Sequence, residues 1–229
     1  MSASNQIKKG EMPSKEDLQR RLNLDGASPE KLVVTPLINP DKQIEDGTID
    51  LRLSTEFVVA KRSKFATLDP LDEKGNMDSR ILEYQEKAYV KIGHKLILHP
   101  QQFALGATFE YIKMPVDLIG YVLGRSSWGR LGLLIATATV VHPGYAGIIT
   151  LELTNLGDTP ITLYPGTRIA QLALHQVSMT EEERKKKLDE AQQAKTKYKA
   201  SVSPIFSRVH QDSEWPMIKS IRDSQLKKE

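Results

Sequence analysis

Alternating apolar and polar residues dominate the chain from residue 48 to residue 177. Short runs with this period of two, such as "TIDLRLS", "FALGATFEYI" and "GIITLELTN", are separated by turn residues at short and fairly regular intervals. Alternation is typical of strands with one buried face, and closely spaced strands without intervening helices favour an antiparallel sandwich or barrel over βαβ units. The pattern therefore predicts an all-β core.

Helical signals lie only at the two ends of this β region. Ser14 can cap a helix in "SKEDLQRRLNL", and helical signals nearly vanish after it until residue 180. There Thr180 and Glu183 form a capping box that opens a charged helix over 180–198. Its charge run is more typical of a solvated helix face than of a nucleic-acid patch, and a mixed tail follows it. We therefore divide the chain into a β domain, 1–178, and a charged helix with a C-terminal tail, 179–229.

Composition excludes several function classes. The 229 residues carry a formal charge of +3 and no cysteine, and the five histidines lack HxH or HExxH spacing. A protein-held zinc centre is therefore not expected, and hydrolysis would have to use carboxylates, hydroxyls and backbone groups. Basic residues are scattered, so no nucleic-acid polymer is expected as a partner. No signal-peptide core or membrane-spanning run is present, so we expect a soluble, cytoplasmic protein without a membrane partner.

Two segments carry candidate chemistry. "GRSSWGRLGL" places Arg125 and Arg130 between two apolar runs, so these cations must reach either solvent or an anion. In "GIITLELTN" the alternation puts Glu152 on the face opposite its leucine neighbours, which for a lone strand glutamate usually means solvent. If the turn at Pro143-Gly144 closes a tight hairpin, the small, apolar segment "LLIATATVVHPGYAG" pairs near Glu152, where it could wall a pocket for a planar polar ligand.

Four motifs together resemble a known family. "GTIDLRLS", "GRSSWGRLGL", "HPGYAGIITLELTNLG" and "LYPGTRIAQLALHQV", in this order and spacing, resemble the dCTP deaminase branch of the dUTPase-like superfamily over roughly residues 14 to 178. The resemblance implies a distorted β-barrel of jelly-roll type, assembled as a homotrimer with active sites between subunits. It also implies hydrolysis of dCTP to dUTP and ammonia without zinc, with Mg²⁺ bound through the substrate triphosphate.

The same resemblance assigns roles to individual residues. Glu152 corresponds to the family's proton shuttle, provided that burial lifts its pKa toward neutrality, while Ser126 places the water and Arg130 holds the glutamate or the developing charge. The substrate-binding positions implied by the family are Arg125 and Ser127 for the phosphates, Thr137 and Ala138 for the cytosine edge, His142 and Tyr145 for the sugar, and Lys197 in the C-terminal arm.

Two departures from the family pattern keep alternatives open. His142 stands where the family usually has the acidic residue that activates water in dUTPases, and Ser201 replaces a glutamine expected in the C-terminal arm. A dCTP deaminase is favoured because Ser126, Arg130 and Glu152 are retained. The alternatives are a dUTPase or bifunctional deaminase and diphosphatase, which His142 disfavours, and a non-catalytic nucleotide-binding regulatory trimer.

Overall fold

Antiparallel strands form the core of the molecule. The computed structural model describes residues 11–26, 28–61, 67–71, 77–136, 140–193, 203–204 and 213–226. In these ranges the strands are, in chain order, β1 (Val33–Thr35), β2 (Ile44–Glu45), β3 (Thr48–Arg52), β4 (Glu56–Ala60), β5 (Gln85–Tyr89), β6 (Leu96–Leu98), β7 (Phe103–Ala107), β8 (Tyr111–Lys113), β9 (Leu118–Gly124), β10 (Leu133–Ala136), β11 (Val140–Val141), β12 (Ala146–Gly147), β13 (Thr150–Asn155), β14 (Ile161–Leu163) and β15 (Arg168–Gln176). The predicted mainly β class is confirmed.

Two five-stranded sheets carry most of the strand pairing. One has the order β10-β13-β7-β4-β5 and the other the order β11-β9-β15-β3-β2; β1-β8-β12 and β14-β6 form smaller sheets. A single hydrophobic cluster joins the two large sheets, with Phe57 and Leu151 from the first and Leu51 and Leu172 from the second. Among the described residues the ladders do not close into one barrel, so the molecule is a set of packed antiparallel sheets.

Both predicted helix starts are present. The helices of the described ranges are α1 (Lys15–Leu22), α2 (Pro40–Gln43), α3 (Met77–Tyr84), α4 (Ser126–Gly129), α5 (Glu181–Gln193) and α6 (Trp215–Leu226). Ser14 Oγ accepts a hydrogen bond from the amide of Asp17 at 3.2 Å. At α5, Thr180 N donates to Glu183 Oε2 at 2.7 Å and Glu183 N donates to Thr180 Oγ1 at 3.2 Å, which is a reciprocal capping box.

Four helices correct the sequence interpretation. The expectation of no helix between α1 and residue 180 is wrong for α3 and for the four-residue helices α2 and α4, and the interpretation of the end of the chain as a mixed tail is wrong for α6. In α6 the second residue is Pro216, whose fixed φ suits a first helical turn, and apolar residues at 218 and 221 follow with helical spacing. None of the described helices combines the length and apolar character that a membrane crossing requires.

Candidate functional site

The motif "GRSSWGRLGL" forms a one-turn helix at the end of β9. Arg125 is its N-cap, Ser126–Gly129 form α4, and Arg130 follows as the C-cap with its amide donating to Ser126 O at 3.0 Å. Trp128 anchors the turn, because its indole Nε1 donates to the carbonyl of Arg168 at 3.0 Å and its ring packs against the core. The turn thus lies on the surface although apolar strands flank it, and it presents Ser126, Ser127 and Arg130 as exposed residues.

Glu152 lies on a strand with neighbours on both sides. In β13 the leucines at 151 and 153 are buried, whereas Glu152 is half-buried on the opposite face, as the alternation predicts. Its ladder partners are Ala136 in β10 and Leu105 in β7. No other described residue forms a side-chain hydrogen bond or an ion pair with its carboxylate. Glu152 is therefore held in position by the backbone ladder, and its carboxylate is uncommitted within the described chain.

The predicted pairing of the small apolar segment with the Glu152 strand is confirmed, but not by a tight hairpin. Residues Leu133–Ala136 pair with β13, whereas Val140–Val141 pair with β9 and Ala146–Gly147 pair with β8. The chain therefore passes through two other sheets before it returns as β13. This route brings the candidate cytosine-binding segment to the strand of Glu152; Thr137 and Ala138 themselves lie outside the described residues.

Ser126 and Arg130 lie at the other end of the β10–β13 ladder from Glu152. Leu133, which begins β10 just after α4, pairs with Asn155, and three positions further along the ladder Ala136 pairs with Glu152. Three strand residues span about 10 Å. Within one chain, therefore, the two groups are on connected elements but are not in hydrogen-bonding contact.

The turn before β12 holds Tyr145 in a fixed orientation. The amide of Tyr145 donates to His142 O at 3.1 Å, and its hydroxyl donates to Ile148 O at 2.5 Å. The ring packs against the hydrophobic core, and burial raises the pKa of Tyr145 to about 12. Because the hydroxyl is already bonded, the ring is the part of Tyr145 left for a ligand. His142 is exposed at the start of the turn, and Lys197 lies outside the described residues.

An ion pair that sequence reasoning missed holds Arg125. Asp50, in β3, is 2% exposed and accepts hydrogen bonds on Oδ2 from Nη1 of Arg125 and from Nη1 of Arg168, the latter at 2.8 Å. The anion that meets Arg125 in this structure is thus the chain's own carboxylate. The sequence shows Asp50 between two apolar residues in "GTIDLRLS" and Arg168 at the start of "RIAQLALHQV", but nothing in either motif indicates that these residues meet Arg125.

A polar pocket opens beside this ion pair. Its volume is about 350 Å³, and it is lined by Glu45, Asp46, Thr48, Asp50, Arg125, Arg168 and Gln171. Three carboxylates and two guanidinium groups face each other here, so the lining is strongly charged but nearly balanced. In the described part of the chain, no group of three or more histidine and acidic residues has the arrangement of a metal site.

A buried network supports the strand that carries Asp50. Gln43 Nε2 donates to Asp50 O and to Glu110 Oε1, each at 3.0 Å, and the amide of Arg52 donates to Glu110 Oε2 at 2.8 Å. Glu110 is fully buried, and burial raises its pKa to about 7 despite the hydrogen bonds from Arg52 and Gln43 and the charge of Arg52. This network bonds the backbone of Asp50 and Arg52, which lie beyond the two residues of β3 that pair with β2.

Comparison with known proteins identifies the family of this chain. A family model described as dCTP deaminase-like matches residues 14–177. The chain belongs to the dCTP deaminase-like family. That match covers the β domain and ends just before α5.

Relatives in the dCTP deaminase-like family carry two kinds of name. A "dCTP deaminase" of Natronomonas pharaonis is 38% identical over 200 residues, covering 87% of this chain and 95% of the relative. A "dCTP deaminase, dUMP-forming" of Methanobrevibacter smithii is 46% identical over 143 residues, covering 62% of this chain and 71% of the relative.

A solved structure of the same family supports the fold. The 2'-deoxycytidine 5'-triphosphate deaminase of Agrobacterium tumefaciens matches with a TM-score of 0.56 at 18% identity, over 80% of this chain. The chain spans 54% of the length of that protein. At this identity the match concerns the fold alone, and it agrees with the fold that the sequence motifs imply.

Proposed function

We propose that the protein hydrolyses dCTP to dUTP and ammonia, with Glu152 as the proton shuttle. The observation that carries the proposal is the 38% identity over 95% of a relative named dCTP deaminase. The site geometry supports it, since Glu152 projects from a doubly paired strand without a partner among the described residues. A group that must take up and return a proton has to be both fixed in place and free of competing hydrogen bonds.

The proposed reaction needs one carboxylate and one water. As the water oxygen adds to C4 of cytosine, its proton passes to Glu152, which delivers it to N3. The remaining hydroxyl proton then moves through Glu152 to the amino nitrogen at C4, the C4–N bond breaks, and ammonia leaves. The base is then uracil, with a C4 carbonyl and a proton on N3, and Glu152 is again a carboxylate.

The other candidate residues bind and orient the substrate in this proposal. Ser126 places the water and Arg130 stabilises the charge that develops at the reacting centre. These two residues precede Leu133, which pairs three positions along the ladder from the pair formed by Ala136 and Glu152. This placement agrees with a site that combines elements of neighbouring subunits in a homotrimer. Arg125 and Ser127 bind phosphate oxygens, because guanidinium and hydroxyl donors suit that ligand.

The remaining contacts concern the base, the sugar and the phosphate tail. We assign the cytosine edge to the backbone of Thr137 and Ala138 and the deoxyribose to Tyr145, whose ring disfavours a 2′-hydroxyl. His142 bonds the 3′-hydroxyl, and Lys197 closes over the phosphates. The first two and the last of these positions lie outside the described residues, so their assignment depends on the motif match.

In the proposed reaction, Mg²⁺ is bound by the substrate triphosphate rather than by the protein. Among the described residues, no group of three or more acidic or histidine side chains is arranged to hold a metal ion, and the proposed phosphate contacts are donors rather than metal ligands. When bound to the triphosphate, Mg²⁺ neutralises part of its charge. Arg125 and Ser127 then contact the phosphate oxygens that remain accessible, and no zinc is required.

A second candidate is a bifunctional enzyme that releases dUMP. It is favoured by the relative of Methanobrevibacter smithii, which is named dUMP-forming and is 46% identical over 143 residues. His142 disfavours it, because the family usually places at this position the carboxylate that activates water for diphosphate release. The two candidates share the deamination step and differ in whether diphosphate appears.

The test is to incubate the protein with dCTP and Mg²⁺ and to measure ammonia and diphosphate separately. We expect ammonia without diphosphate, and a loss of about 10²- to 10⁴-fold in kcat for Glu152→Gln because the proton transfer loses its carrier. Glu86→Gln removes an exposed glutamate from β5 of the same sheet and should leave the rate unchanged.

The outcomes separate the candidates. Equal amounts of ammonia and diphosphate from wild-type protein would establish the bifunctional reaction in place of the first. Binding of dCTP without either product would contradict both, and full ammonia release by Glu152→Gln would exclude Glu152 as the shuttle. His142→Asp restores the carboxylate of the family pattern. Any increase in diphosphate release by this variant measures how far His142 suppresses that reaction.

A further inference from the structure

Asp50 binds two arginines that come from different parts of the chain. Its carboxylate oxygen Oδ2 accepts from Arg125, the N-cap of α4, and from Arg168, the first residue of β15. The Asp50 side chain is 3% exposed, whereas those of the two arginines are 27% and 33% exposed. One buried anion thus holds two cations that both reach the surface of the same pocket.

The backbone brings these three residues together. In the sheet, β15 lies between β3 and β9, with Gln171 opposite Asp50 on one side and Leu123 on the other. The amide of Arg125 donates to Ile169 O at 3.1 Å, so the ladder continues for one step beyond β9. The starting point of the Arg125 side chain is therefore fixed by the sheet, and its end is fixed by Asp50.

The charges of Asp50, Arg125 and Arg168 allow both arginines to pair with one carboxylate. A buried aspartate needs a cation, since removal from water costs several kcal/mol that a partner must offset. Arg168 supplies one, and it is held in turn by a second hydrogen bond from Nη1 to Lys42 O at 2.8 Å. Asp50 therefore stays paired even when Arg125 directs charge to another anion.

Arg125 retains N–H donors that can bind a second anion besides Asp50. A guanidinium has five N–H donors, and the bond to Asp50 uses one of its terminal nitrogens. A free arginine side chain would lose rotamer freedom on binding a ligand, whereas one that is already held loses less. Pairing with Asp50 thus prepares Arg125 for a second, phosphate partner.

We propose that Asp50 is a positioning residue that holds Arg125 for the substrate triphosphate, with Arg168 as the cation that keeps Asp50 neutralised. The proposal rests on the deamination of dCTP proposed above. Asp50 itself touches neither the substrate nor Glu152, so its effect passes through Arg125. It follows that losing Asp50 weakens substrate binding more than it slows the chemical step.

The test compares Asp50→Asn with Glu86→Gln, which removes an exposed carboxylate from β5 in the other five-stranded sheet. For Asp50→Asn we expect KM for dCTP to rise about tenfold, the loss typical of a charge-assisted hydrogen bond, while kcat stays within about twofold. Glu86→Gln should leave both constants at wild-type values. Thermal unfolding of each variant reports whether it is folded.

A double-mutant cycle distinguishes positioning from a purely structural role. In an Arg125→Ala background, Asp50→Asn should cause no further rise in KM, because the residue through which it acts is gone. Equal rises in both backgrounds, or an unchanged KM in Asp50→Asn, would overturn the proposal. If Asp50→Asn does not fold, Arg168→Gln replaces it in the test. Arg125 is then the remaining arginine that pairs with Asp50, so KM should rise several-fold. An unchanged KM in Arg168→Gln would contradict the proposal.

A binding measurement separates this proposal from the proposed function. In calorimetric titrations, wild type and Glu86→Gln should bind inorganic tripolyphosphate more tightly than Asp50→Asn does. If wild-type protein binds tripolyphosphate in this Asp50-dependent way but releases no ammonia from dCTP, the proposed function fails and the positioning role stands. If Asp50→Asn binds tripolyphosphate as tightly as wild type, the positioning role fails whatever the reaction is.

Discussion

Gly132 closes the turn that follows α4, and its surroundings leave no room for a side chain. Its φ is +90°, and a Cβ atom built on it would lie 2.9 Å from the amide nitrogen of Gly157. The carbonyl of Gly132 accepts from the amide of Leu156 at 2.8 Å, so the turn is bonded to the end of β13. Gly132 thus joins the proposed binding turn to the strand of Glu152.

We expect Gly132→Ala to lower the free energy of unfolding by about 1–3 kcal/mol, because alanine is strained at positive φ and the clash is with backbone. Gly129→Ala is the matched control in the same motif, since a Cβ there meets nothing within 4 Å. Its effect should stay within about 0.5 kcal/mol. Chemical denaturation of both variants measures the difference, and equal stabilities would contradict this account of the turn.

Individual residues were predictable where the cause is local. The outward placement of Glu152 follows from the alternation of its own strand, and the Ser14 cap follows from its immediate neighbours. The partner of Arg125 was not predictable, because Asp50 is 75 residues away and reaches it only through the register of β3, β15 and β9. Sequence alone left solvent and anion as alternatives and did not offer an anion from the chain itself.

At the scale of elements, the Glu110 network fastens α2 and β3 to the end of β7. Gln43 of α2 bonds both Glu110 and the backbone of Asp50, while the Arg52 side chain donates to Gln43 Oε1 at 3.2 Å and to Gly166 O at 2.7 Å. Thr108 Oγ1 accepts from Ile149 N and donates to Glu110 O, each at 2.9 Å. A titratable group therefore lies where several elements meet.

We expect the stability of the protein to fall as pH rises through the range in which Glu110 ionises. Burial raises the pKa of Glu110 from an ordinary value of 4.5 to about 7 in the folded protein. Between these values the unfolded chain has released the proton and the folded chain still holds it, so rising pH favours unfolding. The full shift corresponds to about 3 kcal/mol of unfolding free energy. This stabilisation is present below about pH 4.5 and is lost above about pH 7.

Urea unfolding measured from pH 4.5 to pH 8 tests this expectation. In Glu110→Gln the contribution of residue 110 disappears, so the decline in unfolding free energy should be shallower by about 1.4 kcal/mol per pH unit. Glu86→Gln, at an exposed position, should keep the wild-type slope. Parallel curves for wild type and Glu110→Gln would show that Glu110 ionises at the same pH in the folded and unfolded states.

Elements were predictable to different degrees, for physical reasons. Both capping signals were correct because a cap depends on residues one turn apart. The split of "LLIATATVV" into β10 and β11, which join different sheets, was not predictable because strand partners are chosen by the tertiary structure. The helix α6 could have been recognised from Pro216 in its first turn, and α3 from Asn76, whose residue type favours helix N-caps, just before Met77 in the sequence.

At the scale of the whole molecule, apolar side chains around the candidate site remain uncovered. Tyr121, Leu123, Leu131 and Leu134 are 37%, 49%, 62% and 47% exposed, and Leu156, which bonds Gly132, is 66% exposed. Such residues on the segment that carries the proposed binding motif are typical of a surface that another protein covers. They support the proposed homotrimer, in which neighbouring chains complete each site.

Light scattering at the concentrations used for assay tests the assembly. We expect a mass three times that of the 25.7 kDa chain. Substituting two of the uncovered residues together, Leu123→Ser and Leu134→Ser, should shift the population toward single chains and lower ammonia release with it. A single-chain mass for active wild-type protein would contradict a site shared between subunits.

The placement of Glu152 and α4 on different kinds of element has a consequence for how this enzyme class can diversify. Glu152 is fixed by strands on both sides, whereas Ser126, Ser127 and Arg130 occupy a one-turn helix anchored mainly by Trp128. Substitutions in the helix can alter which nucleotide is held without disturbing the strand that carries the proposed proton shuttle. Engineering for a new substrate should therefore begin in α4 and leave β13 untouched.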